Sequence, residues 1–195
     1  MATIRITPKA NIYGSPSDNQ PGYWSSCLDG KSSTSYTPTY TVGTNFRTFT
    51  FVLPALPSGA KLKKVTYYVF GHRVDSGGGI EFAFGTSPTT EYKTGSSNRV
   101  DTEVTPFVTL PTPTYGTDNT KSVSQNIESY SDTIMAAAYQ TIVMHFKGQI
   151  RIYEIYIDLE YEGMGIPLYD GSKQASAIYG GTKQGEMYIG TTKVL

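Results

Sequence analysis

Two alternating apolar runs joined by a proline and glycine corner dominate the stretch from Arg47 to Phe70, RTFTFVLPALPSGAKLKKVTYYVF. In a strand, residues two apart share a face, so Phe49, Phe51 and Leu53 form one apolar face and Val65, Tyr67 and Val69 another. Between them Leu56-Pro57-Ser58-Gly59-Ala60-Lys61-Leu62 combines a residue of fixed φ with one that accepts positive φ. The pattern predicts two strands and the corner that carries the chain from one sheet of a β-sandwich to the other.

The same alternation recurs along the chain. Residues 2–13 read as one or two short edge strands around Pro8, with Ile4 and Ile6 on one face. Ile80, Phe82 and Phe84 form a strand after a glycine-rich turn and are expected to pair, as a hairpin, with the strand before it. Residues 103–110 read as an edge strand stopped by Pro111 and Pro113. Thr141 to Phe146 is apolar on both faces, which predicts a central strand. The longest strand covers 149–161. Within it Ile150 and Ile152 have one parity, while Tyr153, Ile155, Ile157, Leu159 and Tyr161 have the other. Such a phase change predicts a bulge or a switch of sheet. One helix is expected over 124–138, where Ile127, Tyr130, Ile134 and Ala138 recur at helical spacing. The fold class that follows is all-β: a jelly-roll β-sandwich over 1–162 with one short helix, then a linker at 163–167.

From 168 to 195 the period changes. LYDGSKQASA, IYGGTKQGE and MYIGTTKVL repeat an apolar residue, Tyr, any residue, Gly and Ser or Thr, marked by Tyr169, Tyr179 and Tyr188. Each unit is a short β element too small to offset the ordering of about nine residues at ~1–2 kcal/mol each. The extension of short β repeats is therefore expected to stack on something else, which makes the three tyrosines candidate assembly residues.

Composition narrows the function classes. Sixteen Lys plus Arg balance sixteen Asp plus Glu, so no net field draws the chain to nucleic acid or to an anionic membrane. No apolar run reaches membrane-spanning length and the start shows no signal region, so a soluble protein made in a cytoplasm is expected. Cys27, the one cysteine, excludes an internal disulfide and a zinc ribbon. Sixteen tyrosines suit contact surfaces that are apolar on one side and wet on the other. The long turn-rich loop layer from Gly14 to Tyr40 places Tyr23, Trp24, Asp29, Tyr36 and Tyr40 where a scaffold presents binding residues, although Trp24 reads first as a cap on the core.

Catalytic and metal chemistry has weaker support. His72 stands near Asp75, but no Gly-x-Ser-x-Gly elbow accompanies them. Glu154, Asp158 and Glu160 share a strand parity, which reads as a solvated sheet face before it reads as an acid/base pair. Asp18, Asn19 and Asp29 could supply oxygens to calcium, but the expectation is no metal and no cofactor.

The loop Asp29-Gly30 with its Ser/Thr run to Tyr36, the corner at 56–62 and the closing strand Ile152-Tyr153-Glu154-Ile155-Tyr156-Ile157 resemble galactose-binding-like jelly-roll domains of bacteriophage structural proteins. The tail resembles the short Tyr-x-Gly-Ser/Thr repeats that end some virion proteins, often of phages infecting Firmicutes. The resemblance implies a non-enzymatic virion component of the tail, neck or head surface. Its implied partners are other virion subunits, with homo-oligomerisation through the tail repeats. The alternative is a carbohydrate-binding module that recognises a host-surface glycan through Tyr23, Trp24, Asp29, Tyr36 and Tyr40.

Overall fold

The structure, a computed structural model, describes residues 1–8, 10–13, 27, 45–57, 59–77, 79–86 and 103–163, together with 169–170, 173–174, 188–189 and 192–193 of the tail. The strands are β1 (Ala2–Ile6), β2 (Ala10–Tyr13), β3 (Asn45–Phe51), β4 (Lys61–Arg73), β5 (Gly79–Gly85), β6 (Val108–Thr109), β7 (Asn119–Asn126), β8 (Gln140–Lys147) and β9 (Ile150–Glu162). They form a four-stranded sheet ordered β1-β9-β4-β7 and a five-stranded sheet ordered β2-β3-β8-β5-β6, both antiparallel. The chain crosses repeatedly between the two, as a jelly-roll β-sandwich does.

The corner at 52–60 makes the first long crossing, from β3 to β4. The backbone N–H of Ala60 donates to the carbonyl of Pro57 at 3.0 Å. Gly59 stands at φ 74°, the left-handed region a β-carbon disfavours. The expected faces are the buried ones: Phe49, Phe51, Val65, Tyr67 and Val69 meet Ile80, Phe82, Phe84, Ile142, Met144, Ile155, Ile157 and Leu159 in one core. Strand β8 lies in the middle of its sheet and 141–145 are all buried, as apolar groups on both faces require. Strands β1 and β2 are edges, and so is β6, bracketed by Pro106 and Pro111.

Three expectations are corrected. Strands β4 and β5 are not hairpin partners. They belong to different sheets and pack face to face, with the Tyr67 and Phe82 rings stacked at 5.0 Å and 6°. Residues 124–126 are not helical, because Ser124 and Asn126 pair with Thr66 and Lys64 in the ladder of β7 with β4. The helical segment is a 3-10 turn, Glu128–Tyr130, followed by α1, Ser131–Ala136, which covers the Leu62 end of the sandwich. There the Leu62 N–H donates to Ser131 Oγ at 2.9 Å, and Ile127 and Ile134 are fully buried. No helix among the described residues is long and apolar enough to cross a membrane.

The phase change in β9 is a bulge, as the broken parity predicts, and the third correction concerns only the side that Tyr153 takes. Register runs from Phe70 opposite Glu154 directly to Gly71 opposite Ile152, leaving Tyr153 as the extra residue. Tyr153 therefore does not join Ile155, Ile157 and Leu159 inside. It turns outward, where its ring meets Phe70 at 5.5 Å and His72 at 6.3 Å. Cys27 meets β9 at this irregularity. Cys27 is buried, its carbonyl accepts from the Ile155 N–H at 3.0 Å, and its thiol donates to the Ile152 carbonyl at 3.1 Å. Cys27 thus occupies the edge that β1 leaves vacant beyond Ile6, whose partner is Ile157.

In the tail, β10 (Tyr169–Asp170) pairs with β11 (Lys173–Gln174), and β12 (Tyr188–Ile189) pairs with β13 (Thr192–Lys193). Tyr169 stands opposite Gln174 and Tyr188 opposite Lys193. The first and third repeats therefore build the same small hairpin in the same register.

Candidate functional site

The two sheets present different outer faces. On the five-stranded sheet the outward positions Thr48, Ala83, Thr141, Val143 and His145 are buried, while Thr50 and Glu81 are partly open. His145 Nδ1 lies 2.8 Å from Glu81 Oε2, its register partner on β5, and its ring meets Phe107 edge-on at 6.2 Å. That places His145 in packing, as its position within a strand suggests.

On the four-stranded sheet the outward positions are partly open and aromatic. With Val65, Tyr67, Val69 and Gly71 turned inward, β4 directs Thr66, Tyr68, Phe70 and His72 outward. Tyr68 pairs with Tyr156 of β9, and the rings stack at 4.7 Å and 16°. Two residues along β4, about 7 Å away at strand rise, Phe70 and Tyr153 form a second ring pair, with His72 beyond it. A strip of aromatic groups thus runs along the β4/β9 seam.

Polar groups flank the strip on both sides. From β1, Arg5 lies 4.6 Å from the Tyr156 ring centre and 5.3 Å from that of Tyr68, while Nε and Nη2 donate to the two Asp158 oxygens at 2.8 and 2.7 Å. Glu160 pairs with Lys64 at 2.5 Å. On the other flank β7 exposes Thr120, Ser122 and Ser124 opposite Phe70, Tyr68 and Thr66. The Ser124 hydroxyl lies 2.8 Å from that of Thr66. At the far end His72 Nδ1 is 2.5 Å from Asp118 Oδ1.

This arrangement revises the sequence reading of the charged residues. Asp75 is not the partner of His72; its carboxylate accepts the N–H groups of Gly77 and Gln149, both at 2.9 Å, and so shapes the β4–β5 turn. Glu154, Asp158 and Glu160 do share a face, but it is not a freely solvated acidic row, since Glu154 is buried and the other two carry cationic partners. The hydrogen bonds from Arg5 hold the Asp158 carboxyl below its ordinary value, and the same contact raises the guanidinium. A carboxyl kept ionised and doubly occupied is the opposite of a general acid, which needs a raised pKa. Burial, reinforced by the charge of Asp158, raises the Tyr68 phenol.

A pH test of the pair follows. Asp158 is lowered from 3.8, so the contact contributes stability above that pH and loses it as pH falls through the lowered folded-state value. Arg5→Gln is expected to cost at most about 1 kcal/mol at neutral pH, because the arginine is exposed. In urea unfolding the gap from the parent chain should shrink as the pH drops below 3.8. A gap that stays constant into acid would mean the pair does not link folding to protonation.

The sequence-predicted glycan residues Tyr23, Trp24, Asp29, Tyr36 and Tyr40, the calcium candidates Asp18 and Asn19, and Tyr179 of the tail all lie outside the described residues. Tyr169 and Tyr188 each stand in the first strand of a tail hairpin. Among the described residues no group of three or more His, Cys, Asp or Glu could hold a metal ion. Sequence reasoning missed Arg5, Tyr68, Phe70, Tyr153 and Tyr156. The signal was present in β4, where the parity complementary to the core face reads Thr, Tyr, Phe, His rather than the polar residues of a solvated face.

No protein-family model matches the sequence, and no curated protein matches it. Among solved structures the chain is similar to chitosan-binding module 1 of a chitosanase/glucanase from Paenibacillus sp. IK-5. The TM-score is 0.33 and the identity 14%, over 80% of this chain and 92% of that one. A likeness at that level says nothing about what this chain binds.

Proposed function

We propose that the protein is a glycan-binding module, and that the aromatic strip on the outer face of the four-stranded sheet is its binding surface. The observation that carries this reading is the pairing of Tyr68 with Tyr156 and of Phe70 with Tyr153, flanked by Arg5 and Asp158 on one side and the β7 hydroxyls on the other. A pyranose offers an apolar C–H face and a rim of hydroxyls. Rings receive the first, while guanidinium, carboxylate and serine groups receive the second. Two ring clusters about 7 Å apart along β4 favour an oligosaccharide of at least two sugars over a single terminal one. Cys27 is the one described residue of the 14–40 stretch, and it bonds to β9 at Ile152 and Ile155.

The setting we propose is a bacteriophage virion, on the resemblance of the sandwich and tail to virion proteins. A second role, assembly with copies of itself or with neighbouring virion subunits, is favoured by the identical register of two tail hairpins.

The test is calorimetric titration with neutral and amino-sugar oligosaccharides of increasing length. Affinity is expected to rise from monosaccharide to disaccharide and beyond. Tyr156→Ala is expected to weaken binding about tenfold or more, roughly 1.4 kcal/mol, with the melting temperature little changed. Binding that survives both Tyr156→Ala and Phe70→Ala at full strength would move the site elsewhere, with the 14–40 loop next to examine.

A further inference from the structure

Among the described residues five large apolar side chains are exposed, and four of them gather at one end of the sandwich: Met1 (86% exposed), Val52 (60%), Tyr139 (51%) and Met135 (36%). Register places them together. Phe51 and Gln140 are partners at the ends of β3 and β8, so Val52 and Tyr139 are the next residues outward on those two strands. Met135 belongs to α1, and the Gln140 side chain ties that segment down by donating to the carbonyls of Ile134 and Ala137 at 3.3 and 3.0 Å. Met1 precedes Ala2, which pairs with Tyr161 close to the end of β9.

The chain leaves the sandwich at this same end. Glu162 pairs with Lys61 and bonds Lys63, and Gly163 rests against Pro57 of the corner, so closely that an added β-carbon would stand 3.3 Å from the proline ring. Five residues, 163–167, then lead to the repeats, a reach of at most about 18 Å. Each repeat carries an apolar residue directly before its tyrosine: Leu168, Ile178 and Met187. Each of the two described hairpins has only two register pairs, far short of what an isolated hairpin needs for stability in water. An uncovered apolar end and hairpins in need of cover thus lie within a short linker of each other.

We propose that this end of the sandwich, formed by Val52, Met135 and Tyr139, is the docking surface for the tail repeats of a second copy of the chain. The inference rests on the assembly role proposed above and names the body surface that the tail engages. A second copy is the occupant because the two described hairpins repeat one register, and reciprocal donation of such tails lets identical subunits close on themselves, as a symmetric oligomer requires.

The experiment measures solution mass by light scattering on three full-length proteins: the parent chain, Val52→Ser/Tyr139→Ser, and Tyr169→Ser/Tyr179→Ser/Tyr188→Ser. The expected result is an oligomeric parent and two monomeric variants, each with a melting transition close to the parent's. If the tyrosine variant is monomeric while the Val52/Tyr139 variant stays oligomeric, the tails associate with one another and the docking surface is overturned, although tail-driven assembly stands. A parent that is monomeric at all concentrations overturns both. Should the Val52/Tyr139 variant fold poorly, Val52→Cys/Tyr188→Cys decides, since the native Cys27 is buried and does not compete. Oxidation is expected to link chain to chain, and a link formed only within one chain, or none, rules out the second copy.

Discussion

Replacing Gly71 with alanine is expected to be among the most damaging single substitutions in the sandwich. Gly71 is buried in β4 opposite the β9 bulge, and a β-carbon there would stand 2.1 Å from the carbonyl oxygen of Arg151 and 3.2 Å from the α-carbon of Ile152. Both are backbone atoms, so no side chain can rotate away. The strand must separate from β9 or the bulge must be lost, and with it the outward turn of Tyr153. Overpacking of this kind costs about 3 kcal/mol or more, which for a chain of this size lowers the melting temperature by roughly 6–12 °C. A loss under about 2 °C would show that β4 and β9 are not so close at this point.

The second large effect is expected at Phe82. Its ring lies flat on Tyr67, one from each sheet, and both are buried, so Phe82→Ala removes a contact between the layers and leaves a cavity between them. The transfer and cavity terms together come to about 3–5 kcal/mol. Tyr67 cannot fill the gap, because its hydroxyl is held by Gln125 Oε1 at 3.1 Å. Gln125 in turn accepts from Thr105 Oγ1 at 3.1 Å and donates to the Pro106 carbonyl at 2.6 Å. Equilibrium unfolding of Phe82→Ala and Phe82→Leu separates the terms, and the leucine variant is expected to recover more than half of the loss. Equal losses in the two would assign the effect to ring stacking rather than to volume.

The core was legible because burial on one face of a strand imposes a period of two. That period is visible in Phe49 and Phe51, in Val65, Tyr67 and Val69, and in the broken parity around Ile152. What a strand's own period does not contain is its neighbour. Strands β4 and β5 read as a hairpin because one follows the other across a glycine turn, yet their apolar faces meet across the core. Strand β7 was hidden for a related reason. As an edge it turns Asn119, Lys121, Val123 and Gln125 toward the interior, of which only Val123 is apolar, and its Ser124 merged with the helical spacing of Ile127 and Tyr130. The aromatic strip lay in the parity left over once the core face was assigned. Loops drew attention as binding surfaces, while the outward residues of a strand were read as solvent-facing by default.

The relation of β1 to β9 also has a mechanical meaning. They are antiparallel neighbours with Ala2 opposite Tyr161, so the two ends of the sandwich chain emerge side by side. A pull between them would peel β1 away one bond pair at a time, which takes little force. A load between the outer face and the tail travels differently. It runs along β9, which is held between β1 and β4, so many backbone bonds must fail together under shear. A particle tethered through its tail segment while gripping a surface with this face would load the domain in its strong direction.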